Sequence, residues 1–199
     1  MSIDERLLPI EVPPSSAGAP LPHVFADGGK LLIAYIVNTP KPSFDGTNPR
    51  SISPTTGNQS VAILTADPYL ALQFGPPNDE AISGHRLYGL GLQPYSSFEV
   101  LNSLWTASLE RANRVHSSHT RDLFSAYRHF ILTFHDSTLE FIAESFSVSL
   151  HEGAVLTVLM ETAGHRALGR DVKPVRFLDR LWRRDHSGIS RALIAPPFG

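Results

Sequence analysis

The chain has 199 residues, 42% hydrophobic and 18% charged, with nine histidines, no cysteine and a formal net charge of −2. That length and apolar content suffice for one core, and the lack of cysteine excludes disulfides, thiol nucleophiles, cysteine-type zinc sites and cysteine-ligated iron–sulfur clusters. The opening MSIDERLLPIEVPP has acidic residues and no apolar run of signal-peptide length, and the apolar stretch 31–37 is too short to span a bilayer, so no membrane association and a cytoplasmic location are expected.

Residues 1–29 are rich in proline and read as an extended N-terminal arm with one short strand near 8–12. After Gly28-Gly29 comes Lys30-Leu-Leu-Ile-Ala-Tyr-Ile-Val37, whose β-branched and aromatic content predicts a strand buried on both faces. Residues 38–60 break the pattern with Pro40, Pro42, Pro49 and Pro54 and few apolar anchors. A long flexible loop is expected there, a surface excursion or a lid. Strands follow at 61–65 and 70–74, and a short one is expected within 84–91. Gly89 and Gly91 lack the third glycine and the preceding strand of a dinucleotide fingerprint.

Ser96-Ser97-Phe98-Glu99 fits a capping box. Phe98, Leu101, Leu104, Trp105, Leu109, Ala112 and Val115 recur at helical spacing, so a long amphipathic helix over 97–115 is predicted, its apolar stripe on a sheet. Beyond it, His129-Phe-Ile-Leu-Thr-Phe-His135 and Thr138-Leu-Glu-Phe-Ile-Ala-Glu144 flank Asp136-Ser137. This reads as a tight hairpin with a two-residue turn. Counting outward from the turn puts Phe134 opposite Leu139, Leu132 opposite Phe141 and Phe130 opposite Ala143 on the core face. The other face pairs His135 with Thr138, Thr133 with Glu140, Ile131 with Ile142 and His129 with Glu144. Phe146, Val148 and Leu150 fall out of phase with this pattern, and a bulge or bend near Ser145 would restore the inward face of a strand running to 150. Residues 154–160 fit either strand or buried helix. Pro174 begins an expected C-terminal helix with Phe177, Leu178, Leu181 and Trp182 on one side.

The expected fold is therefore α+β: a single domain over 1–199, with an antiparallel sheet, a central hairpin over 129–150, the 97–115 helix packed on it and a C-terminal helix.

The candidate chemistry sits on the polar face of the hairpin. His129, His135, Glu140 and Glu144, with Asp136 at the turn, offer imidazoles and carboxylates for acid–base work or for a metal. His129 and His135 lie six residues apart on a strand, roughly 20 Å, too far to share an ion, so no metal and no cofactor are expected. A solvated face with ordinary cross-strand pairs is the leading structural reading of these residues. His116 and His119, just past the helix, and Arg176, Arg180, Arg183 and Arg184 in the basic end are candidate binding residues. The stretch from Arg166 to Arg191 carries a surplus of five positive charges on an otherwise acidic chain, and its apolar side chains favour docking onto the body or another subunit. With no catalytic motif matched, the leading expectation is a non-catalytic binding or assembly protein, a homo-oligomer with an unidentified protein or small-molecule partner. The alternative is a small enzyme, hydrolase-like or metal-dependent, using the His/Glu face of the hairpin. Nucleic-acid binding through the basic segment ranks last, because the chain is acidic overall.

Overall fold

The computed structural model describes residues 4–39 and 51–167. The C-terminal helix expected from Pro174, the four arginines on it and much of the 38–60 loop lie outside the described residues.

Among the described residues nine strands and three α-helices follow in order. They are β1 (Arg6–Pro9), β2 (His23–Ala26), β3 (Leu31–Ile36), β4 (Gln59–Ala66), β5 (Tyr69–Gly75), β6 (Ser97–Leu101), α1 (Leu104–Asn113), α2 (Asp122–Ser125), β7 (Arg128–Thr133), β8 (Thr138–Ala143), β9 (Ser147–Gly153) and α3 (Val155–Ala167). They form two antiparallel sheets, one ordered β1-β6-β7-β8-β5 and the other β2-β3-β4-β9. The class is α+β.

The two sheets face each other across one core. Leu31, Ile33 and Tyr35 of β3 and Ala62 and Leu64 of β4 meet Phe130, Leu132, Leu139 and Phe141 of β7 and β8. The opposite face of β3 and β4 presents Leu32, Ala34, Ile36, Val61 and Ile63, which α3 covers with Val155, Val158, Leu159 and Ala163. That double cover is why β3 reads as an unbroken apolar run and is buried at every position. The proline-rich arm is stitched to the same sandwich. Tyr35 donates its hydroxyl hydrogen to the Pro13 carbonyl at 2.6 Å, and Asn38 N–H donates to the Pro14 carbonyl at 2.8 Å.

The hairpin keeps its expected faces but shifts its register. Thr133 pairs with Thr138, Leu132 with Leu139, Ile131 with Glu140, Phe130 with Phe141 and His129 with Ile142. The connection is four residues rather than two, closed by Phe134 N–H donating to the Ser137 carbonyl at 2.8 Å. A slip of two residues conserves the side-chain parity, so Phe130, Leu132, Phe134, Leu139 and Phe141 are all buried as the alternation requires. Cross-strand partners change, however, and His129 no longer faces Glu144, which is exposed. The phase change comes from a bend at Glu144 rather than from a bulge within one strand. The chain leaves the first sheet there and β9 joins the second beside β4, while Phe146 packs edge-on against Phe130 with centroids 4.9 Å apart.

The long helix over 97–115 is corrected as well. Residues 97–101 form β6, paired with β1 and β7, and Glu99 binds Arg128 instead of capping a helix. Asn102, at φ 55°, turns the chain, and Ser103 caps α1 by accepting the Thr106 N–H at 3.1 Å. In α1 the buried residue is Glu110, while Leu104 stays exposed. The helix that lays an apolar face on a sheet is α3. Residues 84–91 hold no strand; two short 3-10 turns at Ile82–Gly84 and Tyr88–Leu90 occupy this region, and Ile82, Leu87 and Leu92 cap the outer face of the first sheet over Val100 and Ile131.

Candidate functional site

The polar face of the hairpin is not solvated. Beneath the 82–92 cover, His129 is 1% exposed and Glu140 6%. Since Ile131 is the residue opposite Glu140, His129 is a diagonal neighbour on the same face, within reach of a long side chain. His129 Nε2 lies 2.9 Å from Glu140 Oε2, a close polar contact without the alignment of a hydrogen bond.

The 82–92 cover, the N-terminal arm and the start of α1 extend the network around this carboxylate. Leu87 N–H donates to His85 Nδ1 at 3.2 Å, which leaves the ring proton on Nε2, where it faces Glu140 Oε1 at 3.2 Å. Arg86 bridges two acids: one guanidinium nitrogen donates to Glu140 Oε2 at 3.2 Å, the other to Glu5 at 2.8 and 3.0 Å. Glu5 in turn accepts the Leu104 N–H at 2.8 Å, at the start of α1. Ser103 Oγ sits 2.8 Å from His129 Nδ1, and the Trp105 ring meets the imidazole edge-on at 5.1 Å. Burial alone would raise the Glu140 pKa; the contacts with His129 and His85 and the Arg86 charge outweigh it and hold the group at about 2.

His135 belongs to a different cluster. Its Nδ1 is 2.8 Å from Asp79 Oδ2 and 2.9 Å from the Tyr95 hydroxyl, which donates to the same Asp79 oxygen at 2.7 Å. The Asp79 carboxylate raises the His135 pKa and pushes Tyr95 up to about 12, and its own pKa falls through the hydrogen bonds from Tyr95 and His135. Asp136 is largely exposed, 3.9 Å from the other nitrogen of His135.

On the far side of Ser103 and His129 the surface opens into a groove of about 810 Å³. Its walls are α1, α2 and the segment 125–128, and its floor is formed by 99–103. Three carboxylates line it, Asp4, Glu99 and Glu110. Glu99 is gripped by Arg128, and Glu110 by Arg114 at 2.7 Å with His119 Nε2 at 3.1 Å. The Arg114 hydrogen bond lowers the Glu110 pKa.

The structure thus separates the candidate residues. His129 and Glu140 lie together in the buried network. His135 and Asp136 lie at the hairpin turn, His119 beside the groove, and His116 on the surface accepting the Ser118 N–H at 3.1 Å. Glu144 joins none of these. Among the described residues no group of three His, Cys, Asp or Glu side chains is arranged to hold a metal ion, and no helix is long and apolar enough to cross a membrane. Glu5, His85, Arg86, Asp79, Tyr95 and Ser103 had gone unmarked in the sequence. Only Ser103 had a local signal, an asparagine–serine pair before a helical run; the rest meet partners across loops with no periodicity to reveal them. Comparison with protein-family models, with curated proteins and with solved structures returned no match.

Proposed function

We propose that this is a non-catalytic binding protein whose site is the groove between α1, α2 and the β6–β7 edge. One observation carries the reading: a concavity of about 810 Å³, within the size range of small-molecule sites, whose polar groups are already fixed. Ser103 is held by Thr106 and His129, Glu99 by Arg128 and Glu110 by Arg114. Such groups lose little freedom when a ligand arrives. Self-association and a cytoplasmic location complete the reading, and light scattering of the purified chain tests the first. A screen of small polar compounds followed by amide chemical-shift mapping tests the site. Hits should move the amides of Asn102, Thr106, Ala107 and Tyr127; hits that move only amides on the α3 side of the molecule would place binding elsewhere.

A second reading rests on a specific geometry. Ser103 Oγ, His129 and Glu140 form a hydroxyl–imidazole–carboxylate chain at 2.8 and 2.9 Å, and Ser103 and His129 both line the groove, the order of groups in a serine hydrolase but with the two ring nitrogens exchanged. Two features count against it. The Leu104 N–H, which follows Ser103 as an oxyanion donor would, is taken by the Glu5 carboxylate at 2.8 Å, placing negative charge where a tetrahedral intermediate needs donors. Ser103 Oγ also accepts the helix-capping bond from Thr106. A fluorophosphonate probe followed by intact-mass analysis separates the readings: binding alone leaves the mass unchanged, and a stoichiometric adduct on Ser103 makes the protein an enzyme.

A further inference from the structure

Glu110 lies near the end of α1, seven residues past Ser103 and therefore roughly 10 Å along the groove at 1.5 Å per residue. Around this single buried carboxylate stand Arg114, His119 and Arg121, all acting on it electrostatically. Arg114 forms the two-pronged pair and His119 the second contact. Cations gather at a helix C-terminus because its free carbonyls carry partial negative charge, and that accounts for the first two. It leaves Arg121 over. Among the described residues Arg121 has no carboxylate within ion-pairing distance, although it lines the groove beside Glu110. At the β6 end, by contrast, Arg128 and Glu99 neutralise each other and Asp4 adds a further carboxylate. The groove is therefore cationic at one end, and its wall there carries the half-buried rings of Phe124 and Tyr127.

From this arrangement we infer that the groove takes a small anionic ligand, a carboxylate or phosphate joined to a flat apolar body, with Arg121 as its anchoring cation. The inference rests on the groove being the binding site and adds the chemistry of its occupant. Arg121 offers a planar fork of donors that matches either oxyanion, while the rings give the rest of the ligand a face to lie on. Glu110 does not repel the anion, because Arg114 already neutralises it.

The experiment titrates the full chain with benzoate, phenyl phosphate, benzyl alcohol and benzylamine, reading amide shifts in wild type and in Arg121→Gln. Arg121 is exposed, so the variant should fold; an unchanged melting temperature checks this. The two anions should bind with shifts at Thr106, Glu110, Phe124 and Tyr127, and the variant should weaken them about tenfold to a hundredfold, as losing a charge-assisted contact does. Preference for benzoate or for phenyl phosphate assigns the oxyanion. If the amine or the alcohol binds the groove as well as the anions, or the variant binds the anions unchanged, the inference is overturned while the groove remains a site. If none of the four probes moves a groove amide, the inference falls, and the broader screen decides on the groove itself.

Discussion

Replacing Glu140 by glutamine keeps its shape and removes its charge at the centre of the buried network. In the folded chain the carboxyl titrates near 2 against an ordinary 4.5. Each unit of that depression corresponds to about 1.4 kcal/mol of preference for the charged form, so the network contributes roughly 3 kcal/mol through this group at neutral pH. Because the folded pKa is the lower one, this stability is present above the unfolded value of 4.5 and is lost as pH falls towards 2. By pH 3 about 2 kcal/mol should be gone from the wild type. Glu140→Gln should therefore be less stable than wild type by about 3 kcal/mol at pH 7, with the gap narrowing to about 1 kcal/mol at pH 3. Urea melts of both proteins at pH 7, 5, 4 and 3 measure the gap directly. A difference below about 0.5 kcal/mol at pH 7, or one that does not shrink in acid, would refute the network as the brace of this face.

Three further outcomes follow. Phe134→Ala, which empties a site packed 5.4 Å from the Tyr35 ring in the inter-sheet core, should cost about 3–5 kcal/mol in the same melts. Ser103→Ala removes both the α1 cap and the partner of the buried His129 Nδ1; a loss of about 1–2 kcal/mol is expected, and full stability would mean that neither contact forms in solution. His135 should titrate above 6.5 by NMR because Asp79 stabilises its charged form. Its contribution to stability is complete below 6.5 and disappears as pH rises through the folded midpoint, and Asp79→Asn should bring that midpoint back down.

The alternation of apolar residues made the two faces of β7 and β8 legible, because a period of two survives any even slip. It could not set the register, since the turn length depends on where Phe134 N–H finds its acceptor. The all-apolar run of β3 was legible for a similar reason: it needs cover on both sides whatever supplies it. What failed was the stretch from Ser96 to Leu101. Its apolar residues fit a helical spacing continuing into α1, and only the pairing of β6 with β1 and β7, contacts far away in sequence, makes it a strand. The candidate site was half legible. His129 and Glu140 stood out as polar residues on a core hairpin, but their burial depends on the 82–92 cover, whose irregular turns have no period. The groove owes its shape to the switch at Asn102 from strand to helix, and so was hidden by the same misreading.

The most direct test of the groove as the binding site is to block it. Ala107 lines it from α1, and its half-exposed position leaves room for Ala107→Trp to fill the concavity without entering the core. Compounds that bind the wild type should lose affinity by at least about tenfold for this variant at an unchanged melting temperature, since the indole displaces them. Equal binding to both proteins would contradict the account.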